Sequence, residues 1–475
     1  MDSIELNFLK SSLELDSQVF PNAEILSWIK ERRNAIAVHV SQVPLQHLSG
    51  WIDEGGVEGL MHTSGKFFSI SGIMVTTNWG NIKTWCQPII NQPEVGYLGF
   101  IARKFNGILH FLVQAKIEPG NINVVQISPT LQATKSNYTR VHGGRQPLFL
   151  EYFNGEKEIR VLVDQLQSEQ GARFLRKRNR NIIVEIPETD LLPEHPDFKW
   201  MTIGQIKTLM RHDNIINMDT RTVISGILYG SYSTKSLELL QLISPKQDSR
   251  NLMTTFSMLN SENALINFTS ILSWIANLKS KYEIEVSRIS LKDVSEWNIT
   301  DEEICRNDKK FFTVIGVSVA INSREVTSWD QPMIKPAQEG LVAFIAKSIK
   351  GILHFLVQAK LEPGNLDIIE IAPTVQCLTG NYRSGLSDYT VPYIKDVLSA
   401  SKNDILYDTM QSEEGGRFFK EENRNMIIQV GDSFPIETPE NYNWMTLNQL
   451  LRLIEFNNYL NISARSLISA ITYGW

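Results

Sequence analysis

The chain is poor in the features that mark several large classes of protein. Across 475 residues there are three cysteines, too few for the disulfide framework of a small secreted domain. No tract approaches the roughly 18 uninterrupted apolar residues of a membrane span, so no bilayer-crossing helix is expected. The amino terminus, MDSIELNFLKSSLELD, has no basic region followed by an apolar core; it does not read as a secretory signal, and a cytoplasmic location is expected. Basic residues are outnumbered, with a formal charge of −6, which argues against a dedicated nucleic-acid binder. There is no GxSxG elbow, no P-loop, no GxGxxG after a strand and no HExxH. The common acyl- and phosphoryl-transfer signatures are therefore missing.

What is present is one unit written twice. GILHFLVQAKIEPGN at Gly107 to Asn121 returns as GILHFLVQAKLEPGN at Gly351 to Asn365, 244 residues on, with fourteen of fifteen positions identical. The same offset relates Trp85 to Trp329, Asn137-Tyr138 to Asn381-Tyr382, Arg173-Phe174 to Arg417-Phe418, and Trp200-Met201-Thr202 to Trp444-Met445-Thr446. Solenoid repeats run roughly 20 to 50 residues, so this period implies two duplicated domains. Composition is ordinary for a globular protein, and each half is long enough for its own core. The expected division is 1–230, a linker at 231–250 holding a short helix, and 251–475, the first copy beginning near residue 15. Cys86, Cys305 and Cys377 face Asp330, Met61 and Ala133 in the other copy, so they read as reduced, incidental thiols and no metal is implied.

Strand alternation is clear in the repeated block. Leu109, Phe111, Val113 and Ala115 fall on one face, and Ile108, His110, Leu112, Gln114 and Lys116 on the other. Glu118-Pro119-Gly120-Asn121 then supplies a turn, with proline presetting the second position and glycine accepting positive φ at the third. Asn123 to Ser128 continues as the second strand of a hairpin. Thr202 to Gln205 and Thr446 to Gln449 match capping boxes opening helices, with Ile206, Leu209 and Met210 turned to the core. Strands followed by terminal helices indicate α+β units.

Several constellations can carry chemistry. The row His110, Gln114, Lys116 and Glu118 offers an imidazole, an amide, a cation and a carboxylate, and persists as His354, Gln358, Lys360 and Glu362. Such a row can line a ligand cavity; its alternative is a solvated face. In RFLRKRNR, Arg173 to Arg180, and its counterpart RFFKEENR, what survives in both copies is an arginine pair, Arg173 and Arg180, Arg417 and Arg424. That pair suits a diphosphate or an internal carboxylate such as Glu169 or Glu413. NYTRVHGGR, Asn137 to Arg145, combines Tyr138, His142, two glycines and Arg145, while the other copy keeps Asn381-Tyr382-Arg383 and loses His-Gly-Gly. Trp85 and Trp329, each in Trp-x-Gln-Pro, can stack a base or pack in the core.

Taken together, HFLVQAKIEPGN, ISPTLQATKSNYTRVHGG, LQSEQGARFLRKRNRN, LHFLVQAKLEPGN, SEEGGRFFKEENRN and WMTLNQL are similar to the NDP-hexose 2,3-dehydratase family of deoxysugar biosynthesis, over nearly the whole chain. The resemblance implies two Nudix-like α+β domains per subunit, each with a nucleotide-sugar pocket, in a homodimer. The metal-binding Nudix box is missing from both halves, in keeping with a lyase that needs no cofactor or metal. The implied substrate is TDP-4-keto-6-deoxy-D-glucose and the product TDP-3,4-diketo-2,6-dideoxyglucose, whose lability calls for a downstream NADPH-dependent 3-ketoreductase. A ketone at carbon 4 acidifies the hydrogen on carbon 3, so a base, an enolate-stabilising donor and an acid for the carbon-2 hydroxyl suffice.

On that reading His142, Tyr138 and Lys116 serve the sugar, His142 being preferred as base because imidazole titrates near neutrality, with Glu118 and His110 as rivals. Arg173 and Arg180 neutralise the diphosphate, Trp85 or Asn137 meets the thymidine, and Gln114 and Arg145 complete the pocket. Trp329, His354, Gln358, Lys360, Tyr382, Arg417 and Arg424 form the second one. A non-catalytic nucleotide-sugar-binding protein and a Nudix-type diphosphate hydrolase are the alternatives.

Overall fold

The computed structural model describes residues 3–139, 146–243, 249–260, 262–322, 326–379 and 391–472. Its centre in each half is the repeated block, folded as the expected hairpin. Ile108–Ile117 runs antiparallel to Val125–Ser128, Lys116 opposite Gln126, and Ile352–Lys360 pairs likewise with Glu370–Pro373. Leu109, Phe111, Val113 and Ala115 enter the main core, as a period of two demands. Most of the opposite face is covered too: Leu112 packs in a second layer with Phe149, Tyr152, Phe153 and Val184. Gln114 and Lys116, toward the turn, and Ile108 at the strand's start stay partly exposed.

A seven-stranded mixed sheet forms around each hairpin; in the first half five strands run in the order Arg160–Ser168, Arg178–Glu185, Gly96–Phe105, Ile108–Ile117, Phe198–Met201, with Val125–Ser128 added on Ile108–Ile117 and Leu131–Ala133 on Gly96–Phe105. The parallel pairing of Gly96–Phe105 with Arg178–Glu185 recurs between Gly340–Ile349 and Glu422–Val430. The architecture is thus mixed α/β in two similar halves. Both capping boxes are made, Thr202 with Gln205 and Thr446 with Gln449, opening the helices Ile203–Leu209 and Leu447–Ile454. No described helix is long and apolar enough to cross a membrane.

The halves exchange strands. Val38–Val43 leaves the first half and pairs with Phe312–Ile321, Val40 opposite Val319. Ile284–Ile289 returns the exchange on Ser69–Thr77, Val286 opposite Val75. Each five-stranded sheet therefore holds four strands of one half and one of the other, and the main core is continuous from Phe111 to Phe355. The repeat also begins earlier than expected. Helix Ile4–Leu13 carries Ser11, whose hydroxyl donates to the Leu109 carbonyl and accepts from Ile203 N–H. Helix Ser249–Leu259 carries Ser257 in the same bonds to Leu353 and Leu447. The matching helix of the second copy thus starts at Ser249, at the end of the expected linker segment, which itself holds helix Thr234–Ile243.

The turns lock the exchange. Gly120 N–H donates to the Gly415 carbonyl and Gly364 N–H to the Gly171 carbonyl, both at 2.7 Å, and Phe174 meets its repeat partner Phe418 edge-to-face at 5.9 Å. Neither turn glycine has the positive φ that turn chemistry suggested. Each is required by close approach instead: a Cβ on Gly120 would overlap the Phe418 carbonyl oxygen, and one on Gly364 that of Phe174. Fully buried Arg221 and Arg465 also cross over, Arg221 to the Ser412 carbonyl and Arg465 to the Ser168 carbonyl at 2.5 Å. Gly120→Ala is expected to destabilise the chain by about 3 kcal/mol or more, because the neighbour is main chain and cannot step aside; urea unfolding of the purified variant checks this, with Gly107→Ala, where a Cβ meets nothing within 4 Å, showing the cost of positive φ alone.

Candidate active site

Where the first hairpin strand ends, a cleft of about 840 Å³ opens. Gln114, Lys116 and Glu118 form one wall because alternation turns them the same way at the exposed end of Ile108–Ile117. Glu118 is held from behind: Gln132 Nε2 donates to its Oε1 at 2.8 Å, and Asn217 Nδ2 donates to Gln132 Oε1 at 3.1 Å. Asn217 caps the helix Met218–Ser225 through Thr220 N–H, so the carboxylate is tied to a helix terminus. Asp219, in that helix's first turn, also lines the cleft, as do Asn137 and Lys177.

Further lining comes from the second half. Clamped by Gly120, the loop after Ile405–Ser412 delivers Glu414, Gly416 and Arg417. Arg417 stacks 4.0 Å above Phe68, donates to Gln92 Oε1 at 3.3 Å and to the Gly416 carbonyl at 2.8 Å. Trp329 lines the cleft and donates to Gln331 Oε1 at 2.9 Å, while Gln331 Nε2 donates to the Gly416 carbonyl at 2.7 Å. Trp51 and His62, 5.6 Å apart edge-to-face, complete an aromatic rim.

Burial sets the protonation states. Burial, with Glu169 and Glu118 nearby, pushes the Glu414 carboxyl up to about 8 against the pull of Arg417. Asp219 is raised well above the usual carboxylate range, by burial first and then by Glu414 and Glu118. Lys177 is lowered by burial, opposed by Glu169. At neutral pH the cleft thus presents neutral acids beside three basic side chains, Lys116, Lys177 and Arg417, a combination suited to proton transfer on an anionic ligand.

The sequence candidates distribute as follows. Gln114, Lys116, Glu118, Asn137, Trp329 and Arg417 meet at this cleft. His110 lies elsewhere, with Nε2 2.7 Å from Ser17 Oγ and Nδ1 2.9 Å from the Ile108 carbonyl. His354 matches it, accepting from Leu265 N–H at 2.9 Å, and burial drives its pKa down to about 4; both are neutral structural histidines. Tyr138 packs on Tyr97, 5.3 Å between rings. Arg180 and Arg424 are held in bidentate fashion by Asp164 and Asp408, each closest contact 2.6 Å, so their internal carboxylates are not Glu169 and Glu413. Trp85 packs beside Ile73, Val75 and Ile89. Gln358 donates to the Pro373 carbonyl at 2.9 Å, and Lys360 pairs with Glu362 at 3.5 Å. Arg173 crosses over, stacking 4.4 Å from Phe312 of the second half. His142, Arg145 and Tyr382 lie outside the described residues.

Sequence reasoning missed Lys177, Asp219, Glu414 and Gly416. Their repeat partners are Glu421, Ser463, Gln170 and Ala172, so the available signal was divergence of charge and size inside otherwise retained blocks.

A duplicated α/β chain whose cleft joins buried acids, cations and aromatic rings across a strand exchange holds the groups that acid–base chemistry requires. The family model described as NDP-hexose 2,3-dehydratase matches residues 22–227 and 268–471, and the chain belongs to that family. It is 42% identical over 468 residues to the dTDP-4-dehydro-6-deoxy-alpha-D-glucopyranose 2,3-dehydratase of Saccharopolyspora spinosa, covering 98% of this chain and 95% of the relative. Proteins of the same name from Amycolatopsis orientalis and Streptomyces violaceoruber are each 40% identical, over 97% and 94% of this chain and 92% and 96% of theirs.

The raised Glu414 carboxyl has a signed consequence. Its folded-state pKa lies above its unfolded one, so its contribution to stability is full below about pH 4.5 and is lost as pH rises through about 8. Glu414→Gln, neutral at every pH, is expected to gain stability relative to wild type between pH 5 and pH 8, as read by paired urea titrations.

Proposed function

We propose that this protein removes water across carbons 2 and 3 of dTDP-4-keto-6-deoxy-D-glucose, giving the 3,4-diketo-2,6-dideoxy sugar nucleotide, at the first-half cleft. The observation that carries this reading is the cleft itself, where Glu118, braced by Gln132 and Asn217, faces basic groups from both halves. Glu118 takes the carbon-3 proton. Lys116, two residues before it on the same strand face, steadies the developing enolate oxygen at carbon 4. Arg417 meets the diphosphate, and the rings of Trp51 and Trp329 offer stacking faces for thymine.

The reading keeps the Nudix-like character of each half, a homodimer, a second nucleotide-sugar pocket in the second half, and His142 and Tyr138 as further sugar contacts. It also requires a reductase. A vicinal diketone with an acidic methylene is labile, so an NADPH-dependent 3-ketoreductase is the partner that would consume it.

Mass spectrometry of the purified protein with the keto sugar, trapped by a 3-ketoreductase and NADPH, tests the proposal. A nucleotide sugar lighter by one oxygen is expected; unchanged substrate would defeat the reading, and release of TMP would turn it toward hydrolysis. Arg417→Ala should raise KM at least about tenfold, the scale of a lost charged contact. Arg180→Ala, removing an arginine already satisfied by Asp164, should leave KM within about twofold.

A further inference from the structure

We infer that Glu414, carried by the second half, is the general acid that protonates the departing carbon-2 hydroxyl in the first-half cleft. The assignment rests on the dehydratase reading above and adds the group that reading lacks. Its basis is geometric. Glu414, Gly416 and Glu118 all line the cleft. A Cβ on Gly416 would stand 2.9 Å from Glu414 Oε1 and 3.3 Å from Glu118 Oε1, so glycine at this position lets both carboxyl groups close in on the same spot. Two adjacent carbons of a sugar, one losing a proton and the other a hydroxyl, call for two such groups on either side of one small space.

The internal repeat supplies a control. At the related positions of the other copy stand Gln170 and Ala172, while Glu362 is retained. An amide stands where this copy has the Glu414 carboxyl and a methyl group where Gly416 has none, so the other copy keeps the base candidate without the acid.

The surroundings suit the role. Glu414 faces cationic Arg417 and Lys177 and the carboxyl groups of Glu118, Glu169 and Asp219, and burial keeps its proton at neutral pH.

The steps balance. Glu118 removes the carbon-3 proton, and the C–H electrons form the carbon-4 enolate. The enolate collapses, carbon 2 and carbon 3 become doubly bonded, and the carbon-2–oxygen bond breaks with its pair. Glu414 protonates that oxygen, which leaves as water. The resulting enol loses its carbon-3 hydroxyl proton to the Glu414 carboxylate as carbon 2 takes the proton held by Glu118, restoring both groups.

Glu414→Gln in the full chain, assayed in D2O with the keto sugar, separates the roles. Turnover should fall on the order of 100- to 1,000-fold with KM little changed, while the carbon-3 hydrogen signal of recovered substrate still disappears by exchange, because Glu118 is intact. Turnover within about tenfold of wild type would overturn the assignment, and so would joint loss of exchange and turnover. Should circular dichroism show the variant unfolded, the wild-type profile decides. Turnover that declines as pH rises through about 8 supports Glu414, and a flat profile to higher pH rejects it. A wild-type protein inert to the keto sugar in both elimination and exchange would remove the dehydratase reading, and this assignment with it.

Discussion

The two main-chain hydrogen bonds from Gly120 to Gly415 and from Gly364 to Gly171 are the constraint on which the rest depends. Each is worth only about 1 kcal/mol net, so their weight is geometric. They hold a turn of one half against a loop of the other at a spacing only glycine permits, and the charged cleft-lining groups Glu414 and Arg417 of the second half sit on that loop. The turn and the loop are each other's surfaces twice over. A change in the turn of one copy must suit a loop in the other, which explains why GILHFLVQAKxEPGN persists with one substitution while exposed segments have drifted.

Crossing over changes what duplication allows. In two separate domains, a mutation in the Ser-Glu-x-Gly loop would alter its own domain's site. Here it alters the other one. Glu414, Gly416 and Arg417 serve the first-half cleft, whereas in the other loop Gly171 lies against the second half's turn, Gln170 donates to Glu413 and Arg173 stacks on Phe312. Lys177 against Glu421 and Asp219 against Ser463 add further asymmetry. The scaffold stays symmetric because packing demands it, while the charges that do not pack are free to differ.

Electrostatics in the shared interior follow from that crowding. Arg221, Arg465, Glu169 and Glu413 are all fully enclosed between the halves. Hydrogen bonds to carbonyls and amides, as with Arg465 on Ser168 and Asn179 on Glu169, offset part of their desolvation, and burial still raises both glutamates. Carboxyl groups at the margin, Glu414 among them, lack full compensation and keep their protons. A neutral acid beside retained cations is a product of the fold's own charge density.

By itself the sequence determined the duplication, the hairpin, both capped helices and the family, because these rest on local periodicity, turn chemistry and long collinear motifs. It also placed Gln114 and Lys116 on one strand face, with Glu118 just past them at the turn. It misassigned His110 and His354, since a period of two says which way a side chain points and nothing about the layer that covers it. Arg180 and Arg424 were misread for a related reason: their partners, Asp164 and Asp408, lie on the adjacent strand, sixteen residues back in each copy. Only the tertiary structure decided that each half gives a strand away, that Gly120 is a contact rather than a turn requirement, and that Arg417 and Glu414 belong to the first-half cleft. Exchange between identical-looking elements leaves no trace in one-dimensional spacing, because either partner satisfies the same pattern and only chain connectivity and packing choose between them.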